Sequence, residues 1–234
     1  FHLKRGIYQL RGYIVKNIIA IGISPFSMNV CACLVVIFIN NQLVYYGGDM
    51  AVGAYGIANR IAFIFVMFVM GVNQGMQPIA GYNYGAQQID RLMSVLRYAI
   101  VVATLIMLSG WIVAEFLPYY SVRLFTKDAT LIGLSASGLR ILMAAMPFVG
   151  SQMVITNFFQ SIGKVKISIF LSLSRQLLYL LPLLYVFPLS LGLNGVWYAM
   201  PVSDMLSFVV TVWILVVYIR KFKMEQQSEE VAAV

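Results

Sequence analysis

Six long apolar runs dominate this chain, near residues 18–40, 52–80, 93–117, 131–160, 167–189 and 193–219. Each is long enough to cross a bilayer core of about 30 Å, which takes about 20 apolar residues as a helix. Hydrocarbon holds no water to satisfy backbone N–H and C=O groups, so a spanning segment must be a helix or a strand of a closed barrel. The runs are too long for barrel strands and lack their period-two alternation. The expected fold is therefore all-α, an integral membrane six-helix bundle over 18–219. A basic, amphipathic linker at the cytoplasmic interface precedes it over 1–17, and a short cytoplasmic tail follows over 220–234. Charged residues are only 10% of the chain, against about 25% in soluble proteins. That excludes an ordinary soluble domain, a disordered tail and a secreted disulfide scaffold.

The basic residues orient the bundle. The net charge is +8, but the bases sit at the ends of apolar runs rather than on one solvated face, so no nucleic-acid partner is expected. One side collects Lys4, Arg5, Arg11, Lys16, Arg91, Arg97, Lys164, Lys166, Arg220, Lys221 and Lys223; the other has Arg123 and Lys127. By the positive-inside rule both termini are expected in the cytoplasm, with the lipid bilayer as the first partner.

Turn signals separate the runs. They are Asn40-Asn41 with Gly47-Gly48-Asp49, then Gly81-Tyr82-Asn83-Tyr84-Gly85-Ala86, Pro118 to Asp128, Gly163-Lys164, and Pro188 to Asn194. Asn194 is the expected N-cap of the last helix. Pro25 and Pro147 are expected to kink the first and fourth runs, and Pro78 to weaken the second. Gly71 and Gly75 form a small-residue face that admits a close neighbouring helix.

No catalytic pattern is present. The single histidine is His2, and no nucleophile elbow, zinc-protease or phosphate-loop motif occurs. Cys31 and Cys33 lack the spacing and second pair of a metal site. What remains is polar residues inside apolar helices, which serve either a passing solute or helix–helix hydrogen bonds. The cavity candidates are Asn29, Met70, Asn73, Gln74, Gln77, Gln152, Met153 and Asn157. The charges deep inside runs are Arg60, Arg140, Arg175 and Asp204, while Glu115 sits near the outer end of run three. At 1.5 Å per residue, Arg175 lies about 12 Å from the cytoplasmic start of run five and Asp204 about 16 Å from the outer start of run six. Both fall near mid-depth on consecutive antiparallel helices, so the two are expected to pair. Arg60 and Arg140 could each face a cavity or bond carbonyls of a neighbouring helix.

The stretch Gln74-Gly75-Met76-Gln77-Pro78-Ile79 with Gly81-Tyr82-Asn83-Tyr84-Gly85-Ala86 resembles the eighth-helix signature of multidrug and toxic compound extrusion (MATE) transporters. More distant matches follow in order: Asn157-Phe158-Phe159-Gln160-Ser161-Ile162-Gly163-Lys164, Ser174-Arg175-Gln176 and Gly195-Val196-Trp197-Tyr198-Ala199. The resemblance is to the DinF/MepA-like branch, over helices seven to twelve. It implies one lobe of a twelve-helix transporter, whose two related lobes face each other across a central cavity.

By that resemblance the intact protein performs secondary active multidrug efflux by cation-coupled antiport in a bacterial or archaeal cytoplasmic membrane. Its substrates would be small organic, often cationic compounds. No cofactor is implied beyond a coupling ion, H+ or Na+. The sodium-type branch carries acids in its seventh and tenth helices, whereas runs one and four here contain no Asp or Glu. The coupling site is accordingly expected in the amino-terminal lobe, a partner that this chain lacks on this reading. The initial Phe1 fits a fragment, expected to be inactive alone. The rival readings are a flippase for lipid-linked saccharides of the same superfamily and a non-transporting membrane scaffold.

Overall fold

A straight helix over the 57 residues Asn29–Gly85 would be about 85 Å long, nearly three times a bilayer core of about 30 Å. The computed structural model, which describes residues 12–232, breaks this rod at one residue. Helix α1 (Gly12–Gly85) is interrupted at Gly48, with φ 67° and ψ −169°. Only glycine enters that region without steric cost, so the break falls there and divides α1 into a first arm, 12–47, and a second arm, 49–85. The chain continues through α2 (Ile89–Phe116), the short α3 (Pro118–Arg123), α4 (Ala129–Met143) and α5 (Met146–Ser161). It ends with α6 (Val165–Leu173), a π-helical segment (Ser174–Leu180), α7 (Leu181–Leu191) and α8 (Leu193–Ala232). Among the described residues there is no strand.

Four stretches are long and apolar enough to cross a membrane: Asn29–Gly85, Ile89–Phe116, Val165–Leu191 and Leu193–Arg220. Helices α4 and α5 together make a fifth, bent by 50°. Pro147 stands in the first turn of α5, where a missing amide donor costs nothing, so the expected kink of run four is present. The break at Gly48 divides the first stretch into two rods.

The other turns depart from expectation in instructive ways. Asn40 and Asn41 lie within the helical first arm, and the second arm runs on through Gly81-Tyr82-Asn83-Tyr84 to Gly85. Asn83 explains part of this: its Nδ2 donates to the Ile79 carbonyl at 2.7 Å, so its amide supports the helix instead of a turn. Pro78 does not interrupt the arm, and the only non-helical dihedrals inside α1 are those of Gly48 rather than any at Pro25. Asn194 lies inside the first turn of α8, not before it. The turn expected at Gly163 is present, with φ 76° and the Lys164 amide donating to the Phe159 carbonyl at 2.8 Å. The tail expected beyond residue 219 continues as helix to Ala232. Residues 1–11 of the expected linker lie outside the described residues; 12–17 belong to α1.

Packing is closest where side chains are smallest. The buried face of α2 is Leu92, Leu96, Ala99, Ala103, Met107, Gly110 and Ala114, a spacing of three and four that faces one side of a helix. Against it α5 sets Gly150, where a Cβ would stand 2.8 Å from the Ala103 carbonyl oxygen and from Met107 Cγ. A Cβ at Gly138 of α4 would lie 2.5 Å from the Trp197 ring. Small residues let apolar rods approach when lipid offers no hydrophobic drive between them. Gly71 and Gly75 play no such part here: a Cβ at either would meet nothing within 4 Å.

Gly150→Val should therefore destabilise the bundle by about 1–3 kcal/mol through overpacking, while Gly71→Ala should stay within about 0.5 kcal/mol of the parent. Unfolding of the detergent-solubilised chain in increasing SDS measures both. Equal midpoints for the two variants would contradict this packing.

Candidate functional site

The centre of the site is an ion pair. Arg175 Nε donates to Asp204 Oδ1 at 2.7 Å. The Asp204 residue is 8% exposed, while the Arg175 side chain is about a third exposed. Their two rods are consecutive and pack on each other, and the expected pairing is present. The backbone beneath Arg175 is irregular for a local reason. Pro182, in the first turn of α7, has no amide to donate to residue 178, and its ring crowds that carbonyl. The chain adopts the wider π turn just before it, and the Leu181 amide reaches back to the Gln176 carbonyl. Such π segments recur at functional sites.

The pair forms part of the wall of a cavity of about 250 Å³, between both arms of α1, α4, α5, the π segment and α8. Its polar lining is Tyr55, Asn59, Arg175, Ser203 and Asp204; its apolar lining includes Phe63, Met146, Met153 and Met200. Tyr55 is held by its ring, whose centroid lies 6.1 Å from that of the buried Trp197. Ser203 Oγ donates to the Met200 carbonyl at 2.7 Å. A mostly apolar hollow with a few convergent polar groups is the usual form of a small-molecule site. At this volume it holds a ring-sized group rather than a whole drug.

The residues anticipated from sequence divide among several places. Met153, Arg175 and Asp204 line this cavity; the other cavity candidates do not. Gln77 Nε2 donates to Asn157 Oδ1 at 3.2 Å, and Asn157 Nδ2 to the Met153 carbonyl at 2.9 Å, so this pair ties the second arm to α5. The Gln152 amide bonds Ser207 of α8 in the interior. Asn73 is buried, with neither amide atom hydrogen-bonded. Asn29, Met70 and Gln74 are exposed. Of the remaining charges, Arg140 reaches the Glu115 carbonyl at 3.1 Å and its carboxylate at 4.0 Å, while Arg60 is exposed on the second arm. Tyr55, Asn59 and Ser203 were not anticipated. Asn59 stood beside Arg60 as an amide inside an apolar run, the one signal available for it.

Among the described residues no cluster of His, Cys, Asp or Glu could hold a metal ion. The long apolar rods that enclose this partly polar cavity are those of a multi-pass membrane protein. The MatE family model matches residues 25–186, more than half of the chain, and the chain belongs to that family, whose members are transporters.

Among curated proteins, the multidrug export protein MepA of Staphylococcus aureus (strain N315) is 23% identical over 216 residues, 92% of this chain and 47% of that protein. MepA of Staphylococcus saprophyticus is 20% identical over 93% of the chain and 47% of its own length. Among solved structures, the MATE multidrug transporter DinF-BH in complex with R6G aligns with TM-score 0.77 and 37% identity, over 91% of this chain and 48% of that one. An inward-facing MATE transporter of the MOP superfamily aligns with TM-score 0.83 and 23% identity, over 93% and 50%. The chain thus spans about half the length of the relatives it matches.

Breaking the buried pair leaves one charge alone. Asp204→Ala should cost about 3 kcal/mol, whereas Arg175→Met combined with Asp204→Leu should recover most of that loss. Unfolding titrations of the two variants distinguish the cases; equal losses would mean that the pair does not sit in a dry site.

Proposed function

We propose that this chain is the carboxy-terminal lobe of a multidrug exporter of the bacterial cytoplasmic membrane, with both termini in the cytoplasm. The intact protein would expel small organic compounds by antiport against H+ or Na+, its two lobes rocking about a shared cavity. The observation that carries this reading is a stripe along the second arm: Arg60, Phe63, Met67, Met70 and Gln74, spaced by three and four residues and all exposed. A guanidinium and a primary amide among apolar neighbours are costly against lipid tails. They suit a face turned to water or to a second lobe. Gly71 and Gly75, open beside that stripe, give such a lobe room to approach. Coverage of about half of two-lobed relatives supports the same arrangement.

The test is accumulation of R6G, the compound bound in the DinF-BH structure, in cells stripped of their own exporters. Cells making this lobe joined in frame to its amino-terminal lobe should retain several-fold less dye, and an ionophore that collapses the coupling gradient should abolish the difference. Cells making residues 1–234 alone should retain as much as the empty control. Efflux by the lone lobe, or efflux indifferent to the ionophore, would overturn the proposal.

A further inference from the structure

The cavity beside Arg175 and Asp204 carries hydrogen-bonding capacity that the protein leaves unused. Tyr55 is 9% exposed and lines the cavity, and among the described residues none bonds its hydroxyl. The Asn59 amide lines the same space without a partner among the described residues. The ion pair engages only Nε of Arg175 and Oδ1 of Asp204, so both terminal nitrogens of the guanidinium and Oδ2 of the carboxylate are left over. Donors from Tyr55, Asn59 and Arg175 therefore meet acceptors from Asp204 and Asn59 around one hollow of about 250 Å³.

The charge in that wall already sums to zero. A cation at the free Oδ2, or an anion at the free terminal nitrogens, would bring in a charge that this neutral pair does not offset. An added net charge beside the buried Asp204 is the expensive outcome in a low-dielectric site. An uncharged dipole meets no such obstacle. Its carbonyl accepts from the guanidinium or the tyrosine hydroxyl, and its N–H donates to the free carboxylate oxygen. Unpaired polar groups in a site select strongly for a ligand that pairs them. The apolar wall, with Met146, Met153 and Met200, repacks readily around differing bodies.

We propose that this cavity binds the uncharged, carboxamide-type head of an otherwise apolar molecule, and discriminates against a cation or an anion of the same shape. The inference deepens the transporter reading, naming the part of a cargo that this lobe takes. Binding at equilibrium is measured without transport, so each can fail while the other stands.

The experiment uses the 234-residue chain in lipid nanodiscs and three probes that share one phenyl ring: benzamide, benzylammonium and benzoate. Saturation-transfer NMR reads binding, with empty nanodiscs subtracting partition into lipid. Benzamide should bind at least fivefold more tightly than either ion. Tyr55→Phe, which keeps the ring, and Asn59→Ala, at an exposed position that folding tolerates, should each weaken benzamide about three- to tenfold. Met153→Trp, which fills the hollow, should abolish binding of all three. Benzylammonium binding as tightly as benzamide would overturn the proposal, as would benzamide affinity unchanged in both Tyr55→Phe and Asn59→Ala. So would benzamide binding that persists in Met153→Trp.

Discussion

Inside hydrocarbon a polar group has no water to turn to, and that scarcity organises this molecule. Backbone groups meet it by forming helices. Hydroxyl side chains meet it by bonding back to the preceding turn: Thr104 to the Ile100 carbonyl at 2.8 Å, Thr156 to Gln152 at 2.9 Å, Thr211 to Ser207 at 2.8 Å. Amides meet it between helices, as Gln77 does with Asn157 and Gln152 with Ser207. The two deepest opposite charges meet it by pairing. Against this background the polar groups that find no partner carry information. Asn73 is one, sealed in the interior; Tyr55 and Asn59 are others, but they open onto a cavity.

Each backbone irregularity relieves a different constraint. Gly48 breaks a rod too long for any bilayer. Pro147 sits where α5 restarts after a 50° bend, so the bend exposes no amide that proline could have supplied. Pro182 widens the turn before it and leaves Arg175 on a π segment. A π turn places its side chains about a different phase from an α turn, so the register of this rod depends on one proline. Proline and ion pair together fix where the guanidinium stands.

Much of this was legible in the residues. Long apolar runs imposed helices because the solvent allows nothing else, and rise per residue alone brought Arg175 and Asp204 to a common depth. Turn positions were less legible. Asn40-Asn41 and the Gly81 to Gly85 stretch have turn chemistry, yet they remain helical because asparagine can bond its own helix, as Asn83 does with Ile79. The cavity was the least legible feature. Tyr55 and Asn59 differ from their neighbours in no periodic way. Their meaning arises only when the first arm, α4, α5, the π segment and α8 close around the second arm. Gln77 and Asn157 show the converse: amides that look available in sequence are spent on each other.

Charge closes the argument about this lobe. Asp204 is not an idle intramembrane acid, because its partner is tethered to the same chain at 2.7 Å. A tethered group competes at an effective concentration that a dilute ion does not match. Glu115, near the end of α2, faces Arg140 at 4.0 Å, Asp49 and Asp90 stand at the ends of their helices, and the stretches 18–40 and 131–160 hold no Asp or Glu. Asp204, the buried carboxylate among the described residues, therefore has a guanidinium of its own. On the transporter reading, an exchanging cation meets no buried carboxylate without a guanidinium among the described residues of this half. This half then contributes shape, hydrogen bonds and a neutral wall against which the cargo's uncharged end can rest.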